Sequence, residues 1–323
     1  MRVVSGIKPS GRPHLGNYLG AMRFHVEMQN KYPDSFFFIA NYHALTTTKD
    51  PKLIKQWTHD IVLDYLALGL DPKKCTIFKQ SDVPEVTELA WIFSCLTPLP
   101  WLERAHAFKD ALTKGKKNVN HGLFAYPLLM AADILIYHGN LVPVGKDQVQ
   151  HIEITREIAR AFNKTYGKLF PEPKEVVNKE TQTVLGIDKR KMSKSYNNQI
   201  GIFGDPEDVR QRVMSMVTDT KRKKMTDPGH PEECNVYHLH KFFTPDKIKG
   251  IETKCKNAKR GCVECKKMLA DSIIKYFEPY RKKRKELEKK EGLVDKILEE
   301  GGKKARKIAQ ETMKEVRKRV GVS

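Results

Sequence analysis

No stretch of the 323-residue chain approaches the run of about 20 apolar side chains that crosses a bilayer as a helix. Met1 leads straight into the strand-like "RVVSG", with no apolar signal-peptide core. The expectation is a cytoplasmic protein without membrane contact. Two common nucleotide-binding fingerprints are missing as well. No G-x-G-x-x-G follows a strand. The nearest approach to a P-loop, "GNLVPVGKD" (139–147), has the wrong spacing, and Asp147 stands where Ser or Thr should hold magnesium. Internal repeats and long low-complexity segments are also lacking, so any phosphate grip must be of another kind.

Acidic side chains are in short supply: 39 Asp and Glu face 59 Lys and Arg, a net charge of +20. The excess is uneven, +8 over residues 1–200 (27 basic, 19 acidic) and +12 over the shorter stretch 201–323 (32 basic, 20 acidic). A polyanionic partner fits this balance, and so do Lys-rich helices that are simply well solvated. The run "RKKRKELEKK" (281–290) divides in the same way between a solvated helix face and an RNA contact. Cysteines are few but clustered. Cys75 and Cys95 read as buried thiols, whereas Cys234, Cys255, Cys262 and Cys265 follow a C-x20-C-x6-C-x2-C spacing. Four thiolates can hold tetrahedral Zn2+ or an iron–sulfur cluster, and the spacing alone does not choose between them; two disulfides are the minor alternative.

Short β-rich runs alternate with helical patterns through the first half. "RVVSG", "SFFFIA" (35–40) and "CTIFKQS" (75–81) read as strands; residues 16–32 and 51–69 read as helices. This alternation predicts an α/β fold, a doubly wound parallel sheet whose ligands lie beyond the carboxyl ends of the strands. Beyond about residue 201 the pattern is helical, with an amphipathic helix over 303–320. The stretch "KPSGRPHLGNYLGA" (8–21) falls just after the first strand. A Gly-rich turn there lets the backbone approach a phosphate, with His14 and Asn17 as added donors.

The second signal is "KMSKS" (191–195), where two lysines flank a serine in a surface loop and offer mobile charge for phosphates. Together, His14-Leu15-Gly16-Asn17 and Lys191–Ser195 resemble the two signatures of class I aminoacyl-tRNA synthetases, with Asn17 replacing the commoner final histidine of the first. The stretch between them, "GLFAYPLLMAADILIYHGNLVPVGKDQVQHIEITREIARAFN" (122–163), is similar to the amino-acid-binding region of the tryptophanyl-tRNA synthetase family, and the similarity runs from about residue 3 to the C-terminal helix. The resemblance implies a Rossmann-type catalytic domain (1–200) and an α-helical anticodon-binding domain (201–323). It also implies a homodimer that joins L-tryptophan to tRNA(Trp) with ATP and Mg2+.

For ATP, the resemblance implicates Lys8, Pro9, Ser10, Gly16 and Asn17, then Gly145, Lys146 and Asp147 near the ribose, with Lys191, Met192, Ser193, Lys194 and Ser195 closing over pyrophosphate. His14, Asn17, Lys191 and Lys194 would carry the catalysis. For tryptophan, Tyr126, Gln148 and His43 would meet the α-amino or carboxylate end, and Met130, Val142 and Val144 would flank the indole. From spacing alone Asp133 reads as a cap or an Arg partner. In the implied role it accepts the indole N–H, a donor that phenylalanine lacks. Some members of the family carry a [4Fe–4S] cluster on cysteines spaced like Cys234, Cys255, Cys262 and Cys265. Such a cluster would staple the loop 234–265 among Lys254, Lys256, Lys259 and Arg260, within reach of an anticodon.

Rival readings are a tyrosyl-tRNA synthetase, a synthetase-like RNA-binding protein that charges nothing, and a basic iron–sulfur RNA-binding module. The apolar "LLMAAD" around one carboxylate speaks against the first, because a phenol both donates and accepts. The intact signatures speak against the second, and the third leaves the first 200 residues unexplained.

Overall fold

A computed structural model describes residues 1–105, 108–109, 119–145, 148–177 and 184–323. Five parallel strands form one sheet: β1 (Val3–Ile7), β2 (Ser35–Ile39), β3 (Thr76–Lys79), β4 (Leu141–Pro143) and β5 (Lys174–Val176), in the order β3-β2-β1-β4-β5. All five residues of β2, "SFFFI", are buried, as a strand covered on both faces of a parallel sheet requires. Helices α1 (Arg23–Lys31), α2 (Pro51–Leu68), α3 (Glu85–Ser94), α4 (His121–Leu135) and α5 (Val149–Tyr166) accompany the sheet. Helix α2 starts as its sequence directs: the Asp50 carboxylate accepts from the Lys52 and Leu53 amides, and Pro51, which has no N–H to satisfy, follows it.

Later elements are helical: α6 (Pro206–Met214), α7 (Asn235–Phe243), α8 (Ile248–Lys256), α9 (Cys262–Glu288) and α10 (Leu293–Val320). Backbone proximity divides the chain into two compact units. The first comprises Met1–Gly11, Ala21–Gln182 and Leu287–Ser323; the second comprises Arg12–Gly20 and Thr183–Glu286. These units cut the chain elsewhere than at 200/201. Helix α10, distant in sequence from the strands, belongs with the sheet: Ala305, Ala309, Met313 and Val316 join Phe36, Phe78, Phe93, Phe162 and Leu135 in one buried cluster. Its approach to β3 depends on Gly301, where a Cβ would stand 1.9 Å from the Ile77 carbonyl oxygen. Arg306 and Arg317 of α10 pair with Glu85 and Glu88 of α3.

The helix expected over 16–32 is present: the chain is helical from Leu15 to Lys31, with a wider π-type turn over Tyr18–Met22 between the first turn, Leu15–Asn17, and α1. Apolar spacing does not reveal the π turn; the His14 cap marks where the helix starts. The basic run 281–290 is not uniformly solvated either. Arg284 is buried, with its guanidinium 5.8 Å from the Phe203 ring centroid.

Candidate active site

In a sheet of this order the chain reverses direction of growth at β1 and β4, and the crevice beyond their carboxyl ends is where ligands bind in doubly wound folds. Residues Lys8, Pro9 and Ser10 leave β1 there, and Val144 and Gly145 leave β4. The Ser5 hydroxyl donates to the Pro143 carbonyl at 2.9 Å, which ties the two strands where their regular pairing is short. The Lys8 ammonium lies 3.1 Å from the Thr46 hydroxyl. Lys146 and Asp147 lie outside the described residues.

Three elements of the first unit converge on Asp133. It projects from α4, His43 from the short helix Asn41–Ala44 after β2, and Gln80 from the turn after β3. The His43 Nε2 is 2.9 Å from Asp133 Oδ2, and the Gln80 Nε2 is 2.9 Å from both carboxylate oxygens. Gln80 can stand only one way round: its Oε1 accepts from the amides of Tyr42 and His43, so its NH2 must face the carboxylate. Burial raises the pKa of Asp133, and the hydrogen bonds from His43 and Gln80 oppose that rise. Asp133 is 2% exposed and Gln80 is 1% exposed, so their polar atoms are satisfied by one another, by His43 and by the amides of Tyr42 and His43.

Of the residues expected around an indole, Met130, Val142 and Val144 fall in one apolar cluster. Met130 and Val144 pack against the buried trio Ile134, Val142 and Ile152. Tyr126 bonds through its hydroxyl to Nε2 of the buried His151, and its ring meets that of His43 edge-on at 6.1 Å. Gln148 immediately precedes α5, with its amide donating to the Gly145 carbonyl at 2.9 Å. Gln80 and His151 had no signal in the sequence beyond being single polar residues in ordinary strand and helix surroundings.

In the second unit both signatures are built by polar capping. The His14 Nδ1 accepts from the Asn17 amide at 3.3 Å, while the His14 amide donates to Asn17 Oδ1 at 3.2 Å. Burial, and secondarily the charge of Lys194, lower the pKa of His14 to about 4. A neutral ring that accepts at Nδ1 carries its proton on Nε2, which is then available as a donor. The Leu15 amide donates to the Ile200 carbonyl, and the Gly16 amide points at the Met192 sulfur at 3.3 Å. The two signatures therefore touch through Met192, which is buried while Lys191 is exposed.

Asn198, three residues past the second signature, holds that loop from within. Its Oδ1 accepts from the Ser193 amide at 2.7 Å, and its Nδ2 donates to the Lys191 carbonyl at 3.1 Å and to Asp188 Oδ1 at 2.7 Å. Gly186 lies against it so closely that a Cβ would fall 2.3 Å from the Asn198 Cγ. The Ser193 hydroxyl caps the turn Lys194–Tyr196.

The thiols of Cys234, Cys255, Cys262 and Cys265 line one small cavity together with Arg222 and Arg260. Burial pushes Cys265 up to about 12 and raises Cys234 and Cys255 as well. Among the described residues, no group of three or more His, Cys, Asp or Glu side chains is drawn together as a metal-holding set. The four cysteines thus share a cavity wall, and among the described residues they form no metal ligand sphere. Of the basic residues expected around it, Lys256 pairs with Glu252 and Arg260 with Glu264.

Residues 1–278 match the family model of tRNA synthetases class I (W and Y). The tryptophan–tRNA ligase of Fusobacterium nucleatum is 47% identical over 99% of this chain and 98% of its own length, and that of Rhodopirellula baltica is 44% identical over the whole of both. The crystal structure of tryptophanyl-tRNA synthetase from Campylobacter jejuni with ADP and tryptophan superposes with a TM-score of 0.87 at 43% identity, covering 99% of this chain and 100% of that one. The Mycoplasma pneumoniae enzyme superposes at 0.86 with 28% identity, covering 100% and 98%. Sheet order, signature loops and these full-length similarities lead to one conclusion: the chain belongs to the class I tRNA synthetases of the tryptophan and tyrosine group.

Proposed function

We propose that the protein is a tryptophan–tRNA ligase, which activates L-tryptophan with ATP to tryptophanyl-adenylate and passes the tryptophanyl group to the terminal ribose of tRNA(Trp). The observation that carries this reading is the buried Asp133, fixed by His43 and Gln80 on an apolar helix. A carboxylate held by donors on one side, with Oδ1 keeping a lone pair to spare, suits an amino acid whose only side-chain polar atom is an N–H. Tyrosine would bring a hydroxyl that also needs a donor. Met130, Val142 and Val144 flank the ring in this reading, and Tyr126, Gln148 and His43 orient the amino-acid end.

The reaction needs no protein nucleophile. The tryptophan carboxylate attacks the α-phosphorus, the bond to the bridging oxygen breaks, and pyrophosphate leaves. Lys8, Pro9, Ser10 and Gly145 take the nucleotide, with Lys146 and Asp147 at the ribose. His14, Gly16 and Asn17 meet the phosphates, His14 as a neutral Nε2–H donor, and Lys191, Met192, Ser193, Lys194 and Ser195 form the loop whose two ammonium groups neutralise charge gathering on the leaving pyrophosphate. Mg2+ bound with ATP would supply further charge neutralisation on the phosphates.

The helices of the second unit take the anticodon, and the net charge of +8 over residues 201–286 (21 basic, 13 acidic) supports contact with RNA. The cavity lined by Cys234, Cys255, Cys262 and Cys265 would hold a [4Fe–4S] cluster or, alternatively, Zn2+. Four cysteines on one cavity wall, the donor type that either group takes, support this. A homodimer is supported by the apolar side chains Leu45, Trp91 and Leu99, which are 47%, 71% and 64% exposed. No helix among the described residues is long and apolar enough to cross a membrane, which fits a cytoplasmic enzyme.

Charging of tRNA(Trp) with labelled tryptophan tests the whole reading; no charging under ATP and Mg2+ contradicts it. Purified protein with about four irons per chain supports the cluster. One zinc per chain selects the alternative, and neither metal removes both.

A further inference from the structure

Helix α7 begins at Asn235, directly after Cys234, and this first residue is 1% exposed. Its side-chain Nδ2 donates to the Gly186 carbonyl, 49 residues back in the chain. Gly186 is also the residue packed against Asn198, where no side chain larger than hydrogen fits. Asn198 in turn holds the Ser193 amide and the Lys191 carbonyl. A second tie runs alongside, from the Val217 amide to the Ile187 carbonyl at 2.7 Å. The Lys191–Ser195 loop thus has an inner support, Asn198, and an outer one, Asn235, and the two meet at Gly186.

We infer that Asn235 is a positioning residue for amino-acid activation: by fixing the Gly186 carbonyl it sets the orientation of Asn198 and so the backbone of the loop that carries Lys191 and Lys194. Asn235 touches no reacting atom. Its effect passes through backbone placement, where a misfit of about 1 Å can cost roughly 100-fold in rate. A buried amide that lost its acceptor would be costly, and a buried carbonyl facing a new acceptor more so, so the two sides of this bond are matched. The inference rests on the reading of Lys191–Ser195 as the loop that serves the phosphates.

The test uses the full chain with Asn235→Ala and the near-isosteric Asn235→Asp, which keeps the size and removes the donor. ATP–pyrophosphate exchange is measured beside wild type, Lys194→Ala and the Asn235→Ala/Lys194→Ala double variant, with amide hydrogen exchange over residues 184–198 as a readout independent of activity. The expected result is a fall in kcat of about tenfold or more with the KM for tryptophan unchanged, faster hydrogen exchange over 184–198, and a double variant hardly worse than Lys194→Ala alone, because both changes act on one group. Unchanged kcat and unchanged hydrogen exchange in both single variants overturn the inference, as does a double variant whose losses multiply. Should Asn235→Ala fail to fold, Asn235→Asp decides. Wild type that exchanges nothing defeats the activation reading, and hydrogen exchange over 184–198 then decides on its own whether Asn235 holds the loop.

Discussion

Asp133 and the Lys191–Ser195 loop place their charges in opposite surroundings. The carboxylate is sunk in an apolar helix, 2% exposed, with His43 and Gln80 bonded to it and Gln80 locked by two backbone amides. The loop does the reverse: Met192 and Asn198 are buried, the backbone is held by Asn198, and Lys191 faces solvent. The difference follows the task. A fixed group of the substrate is selected by a partner that cannot adjust, since an unmatched ligand leaves a buried acceptor site unfilled. Charge that appears only as a bond breaks is met by long side chains on a placed but accessible backbone.

If this contrast is right, the two regions should fail differently when cut. Lys194→Ala should produce the largest loss, roughly 100- to 1,000-fold in kcat for exchange, with the tryptophan Kd hardly altered. Equal losses in rate and affinity would erase the distinction. Asp133→Asn should cost about 100-fold in kcat/KM for tryptophan while the KM for ATP stays near wild type, because the defect lies in recognition of the indole N–H. A loss confined to ATP would contradict the pocket. Gln80→Ala sharpens the same side of the comparison: it leaves Asp133 in place but unfixed, so tryptophan binding should weaken by about tenfold, and Gln80→Glu, which faces one carboxylate with another, should be worse. An unchanged tryptophan KM in both variants would remove Gln80 from the pocket.

The smallest expected effect concerns stability. Burial lowers the pKa of His25 to about 3, against about 6.5 for a free histidine. Between those values the unfolded chain binds a proton that the folded one refuses, so stability falls as pH drops through this window, by about 1.4 kcal/mol per pH unit for this one group. His25→Phe should flatten the acid limb of a urea-denaturation midpoint plotted from pH 6.5 to 4. A limb of unchanged slope would show that His25 does not titrate on unfolding.

Much of this was legible in the residues themselves. "SFFFIA" could hardly be anything but a buried strand, and the contiguous His14–Asn17 and Lys191–Ser195 stretches carry their chemistry in adjacent positions. What escaped is made by residues far apart in sequence. Gln80 gains its role from Asp133, 53 positions on, and Asn235 from Gly186, 49 positions back. A lone amide side chain looks the same in the sequence whether it faces solvent or holds a carbonyl. Helix α10 escaped for the same reason: the amphipathic pattern over 303–320 promised a buried face, but the partner, β3 and its neighbours, is named only by Gly301 lying on Ile77. The π turn over Tyr18–Met22 was hidden because the helix runs on through it and the apolar spacing of 16–32 carries no mark of it.

The measurement that reaches the central claim most directly is ATP–pyrophosphate exchange in the purified protein with tryptophan, with tyrosine and with no amino acid. Exchange that depends on tryptophan, with tyrosine at the level of the blank, is the result expected from a carboxylate held by His43 and Gln80. Exchange driven by tyrosine would contradict the account of Asp133 and leave the fold and signature loops as they stand.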